Sequence, residues 1–289
     1  MGPGVANCKL VESVGRLDEI LAPSRRRGLS IGFVPTLGGL HAGHAALIGA
    51  ARRASDLVVV SIFLNPIQFD DPGDLGRYPH DVTADRALAG RSGADVVFAP
   101  PVEAMYPEGR PVVTVDPGAL GVSLEGAARP GHFRGVATVV AKLLALVLPS
   151  VAYFGEKDYQ QLVVVRRLVS DLSLPVEIVA CPTVRDPDGL AVSSRNAFLD
   201  AGERRAATVL YRALRAGAEA VRSGVTDGGE IEATMRSVVA SEPSVILDYA
   251  KPVADGHLEP LSAVGGDVVL LVAARVGKVR LIDNLRVAR

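Results

Sequence analysis

Val34-Pro35-Thr36-Leu37-Gly38-Gly39-Leu40-His41-Ala42-Gly43-His44 reads as the end of a strand, a glycine loop and the start of a helix. Before it, Ser30 to Val34 is a short β-rich apolar run; after it, Ala45, Leu47, Ile48 and Ala51 recur at helical spacing, predicting a helix over about 44–54. In an open α/β sheet the carboxyl edge of the strands is where ligands bind. A helix beginning there offers unpaired N–H groups and the positive end of its dipole to an anion. His41 and His44 are three apart and share one helix face. Two imidazoles so placed can donate hydrogen bonds to phosphate oxygens as these gain charge, and Gly43 lets the backbone come close. The alternative is a pair of surface or helix-capping histidines. Neither G-x-x-x-x-G-K-[ST] nor G-x-G-x-x-G follows any strand, so a nucleotide would be held by other means.

Outward from this stretch, β-rich runs alternate with helical patterns. Leu57 to Phe63, Asp95 to Ala99, Val151 to Phe154 and Val176 to Ala180 are further strands, with helices at about 82–92, 135–147 and 158–171. That order predicts an α/β fold with a Rossmann-like, doubly wound parallel sheet over residues 1–184. The texture then changes to a helix from Ala201 to Ser223, a break at Gly224 to Gly229 and a helix near Glu230 to Ala240. Strand-like runs follow at Ile246 to Tyr249, Val268 to Val272 and Arg280 to Ile282. Residues 185–289 read as a smaller C-terminal α+β domain.

The other strand ends carry polar groups too. Phe63-Leu64-Asn65-Pro66-Ile67-Gln68-Phe69 leaves Asn65 and Gln68 at the edge where Pro66 stops the strand, and their amides suit a substrate with hydroxyl and carboxylate groups, although Asn-Pro also makes a plain turn. In Phe154-Gly155-Glu156-Lys157-Asp158-Tyr159-Gln160-Gln161, Gly155 frees the backbone, Lys157 offers positive charge and Asp158 can accept from a ribose hydroxyl. These charges also fit a solvated helix start with Asp158 as its cap. Ser193-Ser194-Arg195 is a compact anion clamp or a capped loop. Leu124 to Gly135 is too polar and glycine-rich for core and reads as a binding loop with Arg129 and His132 as its contacts. Asp85 reads as a solvated helix carboxylate, with a Mg²⁺ ion or its water shell as the alternative.

Composition narrows the class. With 31 basic and 32 acidic residues the net charge is -1, which gives no global attraction to nucleic acid or anionic lipid and favours small-molecule partners. Cys8 and Cys181 form neither a disulfide framework nor a metal cluster. The N-terminus lacks a signal-peptide pattern, no run of about 18 apolar residues predicts a membrane span, and Ala6 breaks the myristoylation pattern begun by Met1-Gly2. A cytoplasmic enzyme is expected.

Taken together, P-T-x-G-x-L-H-x-G-H, F-x-N-P-x-Q-F, R-P-x-H-F-x-G-V, F-G-E-K-D-x-Q-Q and S-S-R-N, from Pro35 to Asn196, resemble the pantothenate synthetase family. Leu281-Ile282-Asp283-Asn284 adds to the likeness. H-x-G-H alone would indicate only the nucleotidyltransferase superfamily. The resemblance implies that pantoate attacks the α-phosphate of Mg²⁺-bound ATP, and that β-alanine then displaces AMP from pantoyl adenylate. It implies His41, His44 and Lys157 at the transferring phosphate, and Ser193, Ser194 and Arg195 on the departing phosphates. Pro35, Thr36, Leu37, Gly43, Val184 and Val192 would line ATP, with Gly155 and Asp158 at its ribose. Asn65, Gln68 and Gln161 would hold pantoate beside a loop carrying Arg129 and His132. A homodimer is implied as well, and because water would destroy the mixed anhydride, the C-terminal domain is expected to act as a lid. Three positions depart from the family pattern: Leu37 and Val192 replace Met, and Gly39 replaces Ala or Asn. A competing enzyme class, moving AMP onto a phosphate-bearing substrate, would call for a basic anion site where this sequence has Asn65 and Gln68. A nucleotide-binding module without turnover would have no need of His41, His44, Lys157 and Arg195 together.

Overall fold

The computed structural model describes residues 8–70 and 72–288; the Met1-Gly2 start lies outside them. Short Val- and Ile-rich runs, apolar on both faces, build the central sheet. Its strands are β1 (Lys9–Val11), β2 (Ile31–Thr36), β3 (Leu57–Ile62), β4 (Val96–Phe98), β5 (Val151–Gly155) and β6 (Glu177–Cys181). All pair in parallel, in the order β1-β4-β3-β2-β5-β6. Because successive side chains point to opposite faces, Phe33 and Val59 pack with Leu17, Leu21, Val136 and Leu143, while Val34, Val58 and Val60 pack with Ile48, Ala51 and Ala89. Helices Val14–Arg26 and His132–Val147 therefore cover one face, and Ala42–Ala54 and Val82–Ser92 the other. The sheet is doubly wound, and its strand order reverses between β2 and β5. At such a point the connections diverge and leave a crevice beyond the carboxyl ends of the strands.

The chain forms two compact units, Met1–Gly155 with Gln160–Cys181, and Glu156–Tyr159 with Pro182–Arg289. In the second, the antiparallel strands β7 (Val245–Ala254), β8 (Val268–Val276) and β9 (Val279–Val287) form a sheet in that order. Leu210, Leu214, Ile231 and Met235, from helices Val209–Arg222 and Gly228–Ala240, pack on Leu270, Val272 and Val276.

Several expectations shift. The helix expected over 201–223 divides at Thr208 into Ala201–Ala207 and Val209–Arg222. Strand β1 and helix Val14–Arg26 lie where the sequence reading places no element. Leu124 to Gly135 is no open polar loop: Glu125–Ala128 is a helical turn, helix His132–Val147 starts within the segment, and Glu125, Gly126 and Phe133 are buried. The reason is local satisfaction of its backbone. Gln160 Oε1 accepts from the Glu125 N–H at 2.9 Å, and its Nε2 donates to the Leu120 and Ser123 carbonyls at 2.8 and 2.9 Å. Both cysteines are buried thiols outside any disulfide. Among the described residues no helix is long and apolar enough to cross a membrane.

Candidate active site

The loop after β2 is fixed before it reaches the histidines. The Thr36 hydroxyl donates to the Ser61 carbonyl at 2.7 Å and accepts from the Gly38 N–H at 3.3 Å. Gly38 and Gly39 then turn through φ values of 101° and 63°, in the left-handed region that costs a side chain energy. Asp85 closes the loop: Oδ2 accepts from the Gly39 N–H at 2.8 Å and Oδ1 from the Leu40 N–H at 2.7 Å. Expected as solvated, this carboxylate is only 4% exposed. Burial pushes its pKa up against the opposing pull of the Leu40 and Gly39 amides. Both oxygens serve the loop, which gives Asp85 an anchoring job distinct from the metal role expected as its alternative.

His41 then caps helix Ala42–Ala54, and the two histidines close a reciprocal capping box. His41 Nδ1 accepts from the Gly43 N–H at 3.1 Å, and His44 Nδ1 accepts from the His41 N–H at 3.2 Å. A ring nitrogen that accepts carries no proton, so each neutral imidazole bears its hydrogen on Nε2. The ring centroids lie 4.1 Å apart with their planes tilted by 37°. Capping and phosphate donation, which the sequence offers as alternatives, are thus compatible, because Nδ1 does the first and Nε2–H is shaped for the second. A Cβ at Gly43 would lie 2.9 Å from His41 Cε1, so glycine there makes room for the His41 ring.

Asn65, which precedes the turn Pro66–Gln68 after β3, and Gln68, which ends it, are both buried. Asn65 Nδ2 donates to Gln68 Oε1 at 3.0 Å and to the Gly135 carbonyl at 3.3 Å, while its Oδ1 accepts from the Tyr106 hydroxyl at 2.9 Å. Asn65 therefore orients Gln68, whose Nε2 is left as the donating end. Burial raises the Tyr106 pKa to about 12, which keeps that hydroxyl a donor. Gly135 lets helix His132–Val147 press on this turn, since a Cβ there would stand 2.5 Å from the Ile67 carbonyl oxygen. His132 Nδ1 lies 2.8 Å from the Gln68 carbonyl and so must be the protonated nitrogen, leaving Nε2 to accept from Arg129 Nη1 at 3.2 Å. Arg129 also pairs with Asp70 at 3.5 Å. Four expected residues, Asn65, Gln68, Arg129 and His132, thus form one connected cluster with the Gly135 backbone. Pro35, Leu37 and Gln161 are half-buried in the same unit, and Gly155 ends β5.

Lys157 and Asp158 belong to the second unit, in the turn Glu156–Asp158; their side chains pair at 3.4 Å. Val184 and Val192 close a small hairpin in that unit, the Val192 N–H donating to the Val184 carbonyl at 2.9 Å. Ser193 caps the helical turn Ser194–Phe198, its Oγ accepting from the Arg195 N–H at 3.3 Å. The loop and cap readings of this segment both hold, and Ser194 and Arg195 are half-buried.

Sequence reading misses Asp85 as a loop anchor, Gln160 as a clamp, Tyr106 as a partner of Asn65, and Arg185. Asp85 stands in a helical pattern with Ala84, Ala87 and Leu88, whereas Tyr106, Gln160 and Arg185 sit beside polar or proline neighbours and carry no such signal. Among the described residues no group of three or more His, Cys, Asp or Glu side chains can hold a metal ion. The donor set thus does not fit a resident metal cage.

Known proteins match this chain over nearly its whole length. The family model for pantoate-beta-alanine ligase matches residues 9–286. The pantothenate synthetase of Chloroflexus aurantiacus is 55% identical over 255 residues, covering 88% of this chain and 90% of that protein. The chain spans about half, 49%, of the bifunctional pantoate ligase/cytidylate kinase of Synechococcus elongatus, to which it is 54% identical over 258 residues. The crystal structure of pantothenate synthetase from Thermus thermophilus matches with a TM-score of 0.89 and 48% identity, over 97% of this chain and 100% of that one. The pantoate-beta-alanine ligase of Francisella tularensis, solved in complex with beta-gamma ATP and beta-alanine, matches with a TM-score of 0.79 and 35% identity over 96% and 97% of the two chains. A likeness running from β1 through β9, on a sheet whose reversal point carries the capped histidine pair, has one reading: the chain belongs to the pantoate-beta-alanine ligase family.

Proposed function

We propose that this chain joins pantoate to β-alanine at the expense of ATP. A carboxylate oxygen of pantoate attacks the α-phosphorus, the bond to the β-phosphate oxygen breaks, and pyrophosphate leaves with the electron pair. The amine of β-alanine then attacks the acyl carbon of the pantoyl adenylate, AMP departs, and the amine loses a proton. The observation that carries this reading is the histidine capping box, in which both imidazoles hold Nδ1 against the backbone and keep the hydrogen on Nε2. Two neutral donors fixed at a helix start match a transition state whose phosphate oxygens gain negative charge, and need no reorganisation as it forms.

In this reading Lys157 adds a point charge at the transferring phosphate, and Ser193, Ser194 and Arg195 take the leaving pyrophosphate, with Val184, Val192, Pro35, Thr36 and Leu37 beside the nucleotide. Gly155 and Asp158 serve the ribose. Gln68 and Gln161 donate to pantoate, Asn65 holds Gln68 in place, and Arg129 with His132 closes the same cluster. Amides rather than cations at Asn65 and Gln68 disfavour a phosphate-bearing acceptor. Mg²⁺ enters as the counter-ion of ATP, a role it fills with few protein ligands. A cytoplasmic homodimer completes the proposal. The test is to supply ATP, Mg²⁺ and pantoate and follow pyrophosphate, then add β-alanine and follow AMP. Pyrophosphate from the first mixture, and AMP only after β-alanine, is the expected result. Absence of both products refutes the reading.

A further inference from the structure

Asn284 lies on β9, and its side chain reaches the turn that bears Lys157. Its Nδ2 donates to the Glu156 carbonyl at 2.8 Å and to the Lys157 carbonyl at 2.9 Å. Asn284 is itself held on several sides and is 6% exposed. Its N–H donates to Asp283 Oδ1 at 2.8 Å, and its carbonyl accepts from Arg185 Nη2 at 3.0 Å. Arg185 grips Asp283 with two bonds, 2.6 and 2.9 Å, donates to the Gly189 carbonyl at 3.1 Å and lies 4.1 Å over the Tyr211 ring. At the far end of the turn, Tyr159 Oη donates to Asp255 at 3.1 Å and accepts from the Gly256 N–H at 2.6 Å. All of these residues belong to the second unit.

We propose that Asn284 is a positioning residue for Lys157, and that the Arg185–Asp283 pair sets Asn284. The inference rests on the proposed role of Lys157 at the transferring phosphate. Lysine is a compact charge on a flexible four-carbon stem, so where its ammonium can reach depends on where its backbone is fixed. An amide with two N–H donors is the side chain that can bind two successive carbonyls at once, and here one of them is that of Lys157 itself. Displacing a charge-stabilising group by about 1 Å costs on the order of 10²-fold in rate. An anchor lost on one side of a turn held elsewhere by Tyr159 costs less, roughly tenfold on the same scale.

The experiment compares wild type, Lys157→Ala, Asn284→Ala and the double variant in pyrophosphate release from ATP and pantoate, with backbone amide exchange over 156–160 followed in parallel. Asn284→Ala is expected to lower kcat roughly tenfold with KM for pantoate changed less than about twofold, and to lose nothing further in the Lys157→Ala background. Equal loss in both backgrounds, or no loss in either, overturns the proposal. Exchange at 156–160 is expected to rise in Asn284→Ala, and unchanged exchange also overturns it. If wild type releases no pyrophosphate, the functional reading fails while the exchange measurement still decides the anchor. Asn284→Ser, which keeps one donor, is expected to fall between wild type and Asn284→Ala, and carries the same cycle should the alanine variant not fold.

Discussion

The loop after β2 and the turn after β5 leave adjacent strands at the reversal point of the sheet, yet they are anchored by groups of opposite polarity. Both run on into a helix, but the first presents N–H groups, two of which a buried carboxylate, Asp85, accepts, and the second presents carbonyls, to two of which a buried amide, Asn284, donates. The functional groups differ in the same manner. His41 and His44 are locked at Nδ1 by the backbone they cap, whereas Lys157 ends a long stem whose ammonium lies 3.4 Å from Asp158. A fault in the first anchor corrupts a tautomer and a cap; a fault in the second misplaces a charge.

The largest effect separates cap from chemistry in the first of these. Replacing His44 with Ala removes one Nε2–H donor and is expected to lower turnover about 10²- to 10³-fold. It also removes the acceptor for the His41 N–H, at a cost of about 0.5–2 kcal/mol in stability. His44→Glu restores an acceptor at the third helical position, as in an ordinary capping box, but no donor. Thermal melting should then return toward wild type while pyrophosphate release stays at least as low as in His44→Ala. Recovery of both together would mean that the histidine works only as a cap.

Next in size is Asp85→Asn, which keeps shape and reverses polarity at one atom. An amide nitrogen then faces a backbone N–H, leaving a buried donor unmatched at a cost of about 1–3 kcal/mol. Since His41 directly follows Leu40, pyrophosphate release is expected to fall roughly tenfold, as for a small displacement of a positioned group. Denaturant unfolding and turnover check the two. If Asp85→Asn is silent while Asn284→Asp is damaging, the opposed-polarity account of the anchors is wrong for the first loop.

The parallel sheet is legible in the sequence because its strands are apolar on both faces, so Phe33 and Val34 can point to opposite sides and still be buried. Strand β1 is not, because Lys9 and Leu10 are exposed and only Val11 is buried in its three residues. Helix Val14–Arg26 is masked by Pro23 in its interior and by only two buried side chains, Leu17 and Leu21. In the site, the spacing of His41 and His44 shows that they share a face, but the tautomers follow only from which backbone N–H each ring meets. Asp85 reads as a surface carboxylate because its partners, Gly39 and Leu40, lie some 45 positions away and are backbone groups with no sequence signature. The Arg185–Asp283 pair spans 98 positions and Tyr106–Asn65 spans 41, so neither is visible until the chain is folded.

Asn65 offers the finest test, because it is an amide anchor within the first unit. Like Asn284 it donates twice, here to Gln68 Oε1 and the Gly135 carbonyl, and its oxygen is held by the Tyr106 hydroxyl. Tyr106→Phe removes only that last contact and is expected to cost about 1 kcal/mol near neutral pH, with KM for pantoate rising a few-fold as Gln68 loosens. The hydroxyl also predicts a pH dependence. Its folded pKa is raised by burial to about 12 from an ordinary value near 10, so between these values the folded state keeps a proton that the unfolded chain gives up. Stability is therefore full below about pH 10 and falls as pH rises toward 12. Tyr159, raised to about 12 by burial as well, contributes the same trend to both proteins and cancels in their difference. The stability advantage of wild type over Tyr106→Phe should consequently be full below pH 10 and shrink as pH climbs through that window. A difference that stays constant would mean that the Tyr106 hydroxyl titrates alike in the folded and unfolded chain, so that burial does not hold its proton.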